Sequence, residues 1–286
     1  MIRVAVIGAS GMLGRPVTRA LAAAGFEVTA LTRDVDRARA HLEGGVRVLP
    51  ADVRDLASLE AAFAGHDAVY LNLSASAAGG PTGFQTEGGG MRNIVAAARR
   101  SGIGRIGYLS AMVADSPSST WWVVRLWRQA IDELKSSGVP VSIYYASNFM
   151  ETLPSRHVFG GWLVLPAKGR YRQHWIAAGD FGAQVARDFE RAGRDNREYW
   201  IQGPEAASYE EAAQRYVRAS GRRLRILRLP VSTLAIGGLF SPAIDFDRRL
   251  MTTVLDYDEK FQAGATWEAL GRPTTTIEMF ARMTSP

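Results

Sequence analysis

Three glycines near the start of the chain have the type and spacing of a phosphate-binding turn. Gly8, Gly11 and Gly14 stand three residues apart, between a short apolar β-type run (residues 4–7) and an apolar helical run (residues 17–24). A strand that turns directly into a helix points free backbone N–H groups, and the positive end of the helix dipole, at a ligand above the turn. The pattern therefore predicts a site for the pyrophosphate of a dinucleotide.

Each glycine has a predicted part in this cofactor site. Gly8 permits the tight turn, Gly11 leaves room for the approaching pyrophosphate, and Gly14 lets the helix pack closely on the strand. Three of the four residues between the glycines are predicted to contact the same ligand: Ser10, Met12 and Leu13.

The end of the second predicted strand indicates which dinucleotide binds. The sequence there is Leu31-Thr32-Arg33-Asp34. The planar guanidinium of Arg33 suits the 2′-phosphate of NADP, whereas an acidic residue at this place binds the ribose 2′-hydroxyl of NAD. Arg33 therefore favours NADP, and the neighbouring Asp34 keeps NAD possible.

Strands alternate with helical patterns through the first half of the chain. The later strands are predicted near residues 26–31, 46–49, 67–73, 105–109 and 141–145, with helices near 56–63, 91–101 and 123–136. This alternation is typical of a parallel sheet that binds ligands at the carboxyl ends of its strands. Asp52, Asn72 and Ser74 follow such strands and join the predicted cofactor site. Asp52 would meet the adenine edge or, alternatively, cap the helix that begins near residue 54.

The predicted fold class is therefore α/β, a doubly wound parallel-sheet Rossmann fold with a smaller C-terminal substrate lobe. Residues 1–150 form the predicted dinucleotide-binding core, and residues 151–286 form mostly the substrate lobe, with a segment near 173–202 returning to the core. The glycine-rich segment 78–90 lacks the Lys-Ser/Thr ending of a phosphate loop. It is interpreted as a flexible linker at the lip of the ligand site.

Composition excludes several classes of function. The 286 residues include no cysteine and four histidines, which excludes disulfides and thiolate catalysis and predicts no metal site. The net charge is +6, but the basic residues are dispersed among acids, so no nucleic-acid partner is predicted. No apolar run has the length of a membrane helix and no signal segment is recognised, so a cytoplasmic location is expected. The oligomeric state is left open.

Six short segments together resemble the NmrA-like branch of the atypical short-chain dehydrogenases. This resemblance implies an extended Rossmann domain, a small C-terminal lobe and a cleft between them. Members of that branch reduce quinones, triphenylmethane dyes and phenolic ethers, while others bind nucleotide as regulators without turnover. The segments are Gly8 to Arg15, Leu31 to Arg33, Leu134 to Pro140, Asn148 to Glu151, Gly203 to Glu205 and Gly271 to Pro273.

The catalytic pair that the resemblance implies is missing. Short-chain dehydrogenases use a tyrosine that gives a proton and a lysine, four residues on, that lowers its pKa. No tyrosine lies between Tyr108 and Tyr144, and Trp127 stands where NmrA-like reductases often have the lysine. The Arg-Pro that follows the sixth strand in the family is Tyr145-Ala146 here. The usual groups for carbonyl reduction are therefore absent.

The leading hypothesis is an NADPH-dependent reductase of an aromatic, quinone-like small molecule, with natural-product tailoring as one setting for it. Such acceptors take hydride directly, so the enzyme would mainly position the reactants while solvent protonates the product. Ser110 and Asn148 are the candidate catalytic residues, as hydrogen-bond partners of a substrate oxygen, and His157 and His174 are candidate proton donors. The aromatic residues predicted to contact substrate, with core packing as their alternative, are Trp121, Trp122, Trp127, Tyr145, Phe149, Trp162 and Trp175.

Two alternatives stay open. A chain that keeps the nucleotide site and lacks the acid–base pair has the features of a non-catalytic NAD(P)-binding redox sensor or regulator. A third class is oxygen-dependent tailoring of an aromatic metabolite, with the cofactor as the source of electrons.

Overall fold

A seven-stranded parallel sheet forms the centre of the computed structural model, which describes residues 1–115, 119–166, 169, 171–230 and 241–284. The sheet order is β10-β6-β5-β4-β1-β2-β3, so strands are added on both sides of β1. This order confirms the predicted doubly wound Rossmann fold. The strands are β1 (Arg3–Ile7), β2 (Glu27–Thr32), β3 (Arg47–Pro50), β4 (Ala68–Leu71), β5 (Arg105–Ala111), β6 (Val141–Ala146), β7 (Val158–Phe159), β8 (Trp162–Pro166), β9 (Gln173–His174), β10 (Arg197–Ile201), β11 (Ala206–Ala207) and β12 (Arg225–Leu229).

Helices cover both faces of this sheet because its strands alternate their buried side chains between two apolar cores. Val4 and Val6 of β1 face one core, while Ala5 and Ile7 face the other. Helices α1 and α7 pack on the first face, and α3, α4 and α5 pack on the second. The helices are α1 (Gly14–Ala23), α2 (Val35–His41), α3 (Leu56–Phe63), α4 (Met91–Arg100), α5 (Trp122–Lys135), α6 (Thr152–Arg156), α7 (Ala178–Glu190), α8 (Tyr209–Ala219), α9 (Pro242–Leu255), α10 (Gly264–Leu270) and α11 (Ile277–Met283).

The second half of the chain is divided between this core and a smaller lobe. Strand β10 pairs with β6 at the edge of the central sheet, and α7 packs on α1. The lobe contains the β12-β8-β7 sheet and the β11-β9 pair. A third apolar cluster, which includes Met150, Trp175 and Tyr216, forms its interior. The boundary at residue 150 stays a prediction.

Helices α1 and α7 approach each other closely at Gly182. A Cβ atom at this position would lie 2.8 Å from the carbonyl oxygen of Pro16 and 3.0 Å from the Cβ atom of Ala20. Only a residue without a side chain allows this separation. The helix that follows the glycine turn is therefore seated against a helix from the second half of the chain.

The glycine-rich segment 78–90 is an ordered part of the fold. The buried Gln85 amide accepts the Ser76 N–H at 2.9 Å and donates to the carbonyl oxygens of Ser76 at 2.9 Å and Gly80 at 2.8 Å. Gly83 N–H donates to the Gly79 carbonyl at 2.8 Å. Residues 86–90 then form a single π-helical turn that leads into α4. The interpretation as a flexible linker is wrong, because these hydrogen bonds fix the segment.

Within the described ranges, none of the helices has the length and apolar content needed to cross a membrane. The same ranges contain no group of three or more His, Asp or Glu side chains that could hold a metal ion.

Candidate functional site

The turn between β1 and α1 requires glycine at two of its positions. Gly8 has a φ of 81°, in the left-handed region that glycine adopts without strain. A Cβ atom on Gly8 would lie 2.3 Å from the carbonyl oxygen of Asn72, and one on Gly14 would lie 2.0 Å from the carbonyl oxygen of Gly8. Both separations are far inside van der Waals contact, so neither position admits a side chain.

Gly11 leaves a space in front of this turn. It is exposed, and a Cβ atom there would stand 3.2 Å from the Gly8 carbonyl oxygen and 3.7 Å from Nδ2 of Asn72. Helix α1 begins at Gly14, and its N-cap residue Leu13 gives no side-chain hydrogen bond to the first N–H groups. Uncapped N–H groups at a helix N-terminus bind anions. The residues present therefore fit a dinucleotide pyrophosphate.

The other predicted residues of the turn connect it to its surroundings. Met12 Sδ accepts a hydrogen bond from the Ser155 hydroxyl of α6 at 2.9 Å. Ser10 is half-buried in the turn. Ser74 is exposed, and its carbonyl oxygen accepts the Thr86 hydroxyl at 3.0 Å. The cofactor roles of these residues stay predictions.

The two candidate groups at the end of β2 differ in what they already bind. Asp34 is the N-cap of α2, because its Oδ1 accepts the Arg37 N–H at 3.0 Å. Arg33 is exposed, and its guanidinium makes no hydrogen bond or ion pair with the described residues. The charged group that stays available to a ligand is therefore the Arg33 guanidinium. A cation at this position supports a phosphate rather than a ribose hydroxyl as its ligand.

Asp52 closes a turn and does not cap α3. Its Oδ1 accepts the Arg54 N–H at 3.0 Å. The cap of α3 is Asp55, whose Oδ1 accepts the N–H groups of Ala57 at 3.0 Å and Ser58 at 3.3 Å. The alternative of Asp52 as that helix cap is wrong, and its contact with adenine stays a prediction.

A cleft of about 620 Å³ lies at the carboxyl ends of β4, β5 and β6. Helix α9 forms its opposite wall through Phe246 and Leu250, neither of which was predicted from the sequence. A cleft at this edge of a doubly wound sheet is the usual ligand position. The predicted site residues that line it are Leu13, Asn72, Ser74, Ser110, Trp127 and Phe149.

The second candidate catalytic residue and both histidines lie outside the lining of this cleft. The Asn148 amide donates to Oε1 of Gln173. His157 is buried with its Nδ1 3.0 Å from the Val164 carbonyl oxygen, and burial lowers its pKa. His174 Nδ1 lies 3.1 Å from Oε1 of Glu259. The structure places these three side chains in contacts within the lobe and not at this cleft, whereas Ser110 lines it. Their contacts with substrate stay predictions.

The predicted aromatic residues divide between the cleft and the core. Trp121 and Trp122 lie behind Phe246, with ring centroids 5.2 and 6.1 Å from it. Tyr145 stacks on Trp200 at 5.6 Å and donates to Oε2 of Glu198 at 2.7 Å.

Trp162 and Trp175 belong to the lobe. Trp162 lies under the guanidinium of Arg225, 5.7 Å from the ring centroid, on the small sheet. Trp175 is fully buried and donates to the Ala207 carbonyl at 3.0 Å. The expectation that these two side chains surround the cleft is wrong, because both lie in the lobe: Trp175 packs in its core, which was the alternative, and Trp162 is exposed on its small sheet.

The carboxyl group of Glu87 was missed by sequence reasoning. Glu87 is 3% exposed and lines the cleft. Its Oε1 accepts the Tyr108 hydroxyl at 2.9 Å. Burial raises the pKa of Glu87 to about 7, against smaller lowering effects of the Tyr108 hydroxyl and of the nearby Trp127 side chain and Ala75 backbone. The cleft therefore contains a carboxyl group whose pKa burial raises toward neutral pH.

Known proteins resemble this chain over most of its length. The family model described as NmrA-like family matches residues 2–282. The chain is 29% identical to (4-alkanoyl-5-oxo-2,5-dihydrofuran-3-yl)methyl phosphate reductase of Streptomyces griseus, over 79% of this chain and 77% of that protein. It is 26% identical to NAD(P)H azoreductase of Xenophilus azovorans, over 78% of this chain and 76% of that protein. The crystal structure of NADPH-dependent quinone oxidoreductase from Escherichia coli, complexed with NADPH, shows the same fold, with a TM-score of 0.73. The two sequences are 23% identical, and the match covers 98% of this chain and 99% of that one.

Proposed function

The chain belongs to the NmrA-like family, and on that premise we propose that it is an NADPH-dependent reductase of an aromatic, quinone-like small molecule. The observation that carries the proposal is the shared wall between the glycine turn and the cleft. Asn72 contacts the turn at Gly8 and also lines the cleft, as does Leu13. A molecule in the cleft therefore lies beside the ligand of the turn. When bound, the reduced nicotinamide supplies hydride.

The side chains of the cleft suit a flat ring that carries an oxygen atom. Trp127, Phe149 and Phe246 offer aromatic surface for stacking, and Leu250 helps to exclude water. Ser110 lines the cleft at the end of β5, and rotation of its buried hydroxyl would bring it to a substrate oxygen. Holding the ring in a reactive position is the main contribution that these residues make.

The named relatives support this reaction class. Two curated relatives are named as reductases, one of them for azo compounds with NAD(P)H. The solved structure with the same fold is named as a quinone oxidoreductase with NADPH bound. A reducing function agrees with all three names, and a nicotinamide cofactor agrees with the two names that mention one.

The direct test is oxidation of NADPH in the presence of quinones and polycyclic aromatic ketones, measured by the loss of reduced-nicotinamide absorbance. Binding of NADPH is measured separately by fluorescence. Turnover that depends on an acceptor is the expected result. Tight NADPH binding without turnover on any acceptor would contradict the reductase and would favour a nucleotide-binding regulator.

Arg33→Ala is expected to weaken NADPH binding roughly 10- to 100-fold and to leave NADH binding unchanged. The reason is the loss of a charge-assisted contact with the 2′-phosphate, worth about 1.5–3 kcal/mol. Dissociation constants for both dinucleotides measure the effect. The control is Arg99→Ala on the exposed end of α4, which removes the same charge elsewhere. Equal weakening for NADPH and NADH in Arg33→Ala would contradict the 2′-phosphate contact.

A further inference from the structure

One wall of the cleft contains two buried oxygen atoms that have no partner. Oε2 of Glu87 and Oγ of Ser110 are inaccessible to solvent and have no hydrogen-bond partner of ordinary geometry among the described residues, although the Tyr108 hydroxyl faces Ser110. Both residues line the cleft. Buried polar atoms are nearly always hydrogen-bonded, and exceptions need an explanation. Because both side chains line the cleft, rotation of each toward the cleft would let the polar atom of a ligand satisfy both oxygens.

The position of the acid proton follows from the contacts of Glu87. Tyr108 donates its hydroxyl proton to Oε1. When Glu87 is protonated, Oε2 is therefore the oxygen that carries its proton. Oε2 is also the oxygen without a protein partner, so its proton has no acceptor within the protein.

The groups that face Glu87 from neighbouring elements carry no charge. They are Tyr108 from β5, the Trp127 side chain from α5 and the Ala75 backbone after β4. The other charged side chains that line the cleft are Arg156 from α6 and Asp247 from α9. None of the hydrogen-bonding neighbours is a cation, so the protonated carboxyl is maintained to neutral pH.

Resting on the proposed reductase, we propose that Glu87 is its catalytic proton donor and that Ser110 holds the substrate oxygen beside it. The Oε2–H bond of Glu87 breaks as an O–H bond forms on the substrate oxygen. The substrate accepts two electrons and one hydrogen as hydride from the reduced nicotinamide dinucleotide. Glu87 is left as a carboxylate and regains its proton from water, so each turnover consumes one hydride and one proton. This replaces the expectation of protonation by solvent alone.

Glu87→Gln is expected to lower kcat on a quinone about 100-fold, the effect of removing a general acid. Glutamine can still accept the Tyr108 hydroxyl, so the fold is kept. The wild-type rate is expected to fall tenfold per pH unit above about 7, where the acid is lost. The variant is expected to show no such decrease. Glu190→Gln, at the exposed end of α7, is the control and should match the wild type.

The Tyr108→Phe variant tests whether Glu87 acts as a catalytic acid or only as a structural residue. The Tyr108 hydroxyl lowers the pKa of Glu87 by hydrogen bonding to the carboxyl group. Removing it should raise that pKa and move the decrease in rate to higher pH. Trp127→Lys should move the decrease to lower pH, because a cation beside Glu87 favours the carboxylate. Loss of packing alone would change the rate without these opposite shifts.

A spectroscopic measurement on the protein without cofactor gives an independent result. The carbonyl stretch of a protonated carboxylic acid is recorded by infrared spectroscopy as the pH is raised. We expect a signal that disappears near pH 7 in the wild type, with separate contributions from Glu87 and Glu151; the Glu87 contribution is the part that is lost in Glu87→Gln and kept in Glu151→Gln. Glu151 is the matched control because burial also raises its pKa to about 7, although it lies outside this cleft.

The outcomes distinguish this inference from the function on which it rests. If the wild type reduces quinones and Glu87→Gln has the same rate and pH profile, Glu87 is not the donor and the reductase stands. If the Glu87 band disappears in the ordinary carboxyl range, the donor role is also overturned. If the wild type binds NADPH and reduces no acceptor, the reductase fails and the donor role fails with it.

Discussion

Gly11→Ala is expected to weaken NADPH binding about 100-fold while the protein stays folded. The added methyl group would stand 3.2 Å from the Gly8 carbonyl oxygen and 3.7 Å from Nδ2 of Asn72, in the space left for the pyrophosphate. Losing two hydrogen bonds to a charged ligand, at about 1.5 kcal/mol each or more, gives a change of this size. Fluorescence titration with NADPH and thermal unfolding without it measure the two effects.

Gly14→Ala is expected to reduce stability as well as NADPH binding. Its Cβ atom would lie 2.0 Å from the Gly8 carbonyl oxygen, so α1 would have to move away from β1. Both Tm and NADPH binding should therefore fall. Gly44→Ala is the control, because its Cβ atom would meet nothing within 4 Å. Unchanged NADPH affinity in Gly11→Ala would contradict the proposed position of the pyrophosphate.

Glu87→Gln is expected to make the protein more stable than the wild type at alkaline pH, by up to roughly 3 kcal/mol. Burial raises the pKa of Glu87 from 4.5 to about 7 in the folded protein. At pH values between these two pKa values, the folded protein holds a proton that the unfolded chain has released. The free energy of unfolding therefore decreases as the pH rises. The full cost is present above about pH 7, at about 1.4 kcal/mol per pKa unit. Glutamine stays neutral and does not incur this cost.

Urea unfolding of the wild type and Glu87→Gln at about pH 5 and about pH 8 measures this difference. The stability of the variant relative to the wild type should increase between the two pH values. Glu151→Gln is expected to show the same sign, because burial also raises the pKa of Glu151. Parallel pH dependence of wild type and Glu87→Gln would show that the Glu87 pKa is ordinary.

The parts of the fold that depend on local sequence were predictable. The apolar run at residues 4–7 corresponds to β1, and the helix expected at 123–136 is α5, Trp122–Lys135. Helix α2 was not predicted because Ala38 is its one buried residue, which leaves no apolar stripe in the sequence. The order of the segment 78–90 depends on a buried glutamine that bonds to Ser76 and Gly80, and composition does not show such contacts.

The candidate site was predictable where the backbone carries the signal. The glycine turn and Ser110 could be located because a strand end fixes their position. Glu87 could not, since one carboxylate among glycines is normally solvated and its burial comes from Tyr108 and Trp127 on other elements. Trp175 is the opposite case, a core residue that was predicted to contact substrate. An aromatic residue looks the same in the sequence whether it lies in a core or in a ligand site.

The contact between Pro16 and Gly182 sets an order of events during synthesis of the protein. The helix that follows the glycine turn leaves the ribosome early, but the helix that it packs against, and the strand that completes the sheet edge, are made much later. The nascent N-terminal half thus lacks the support that holds the turn against the sheet. We therefore expect capture of the dinucleotide to be a late step, favoured once α7 and β10 have been translated and have packed against the first half.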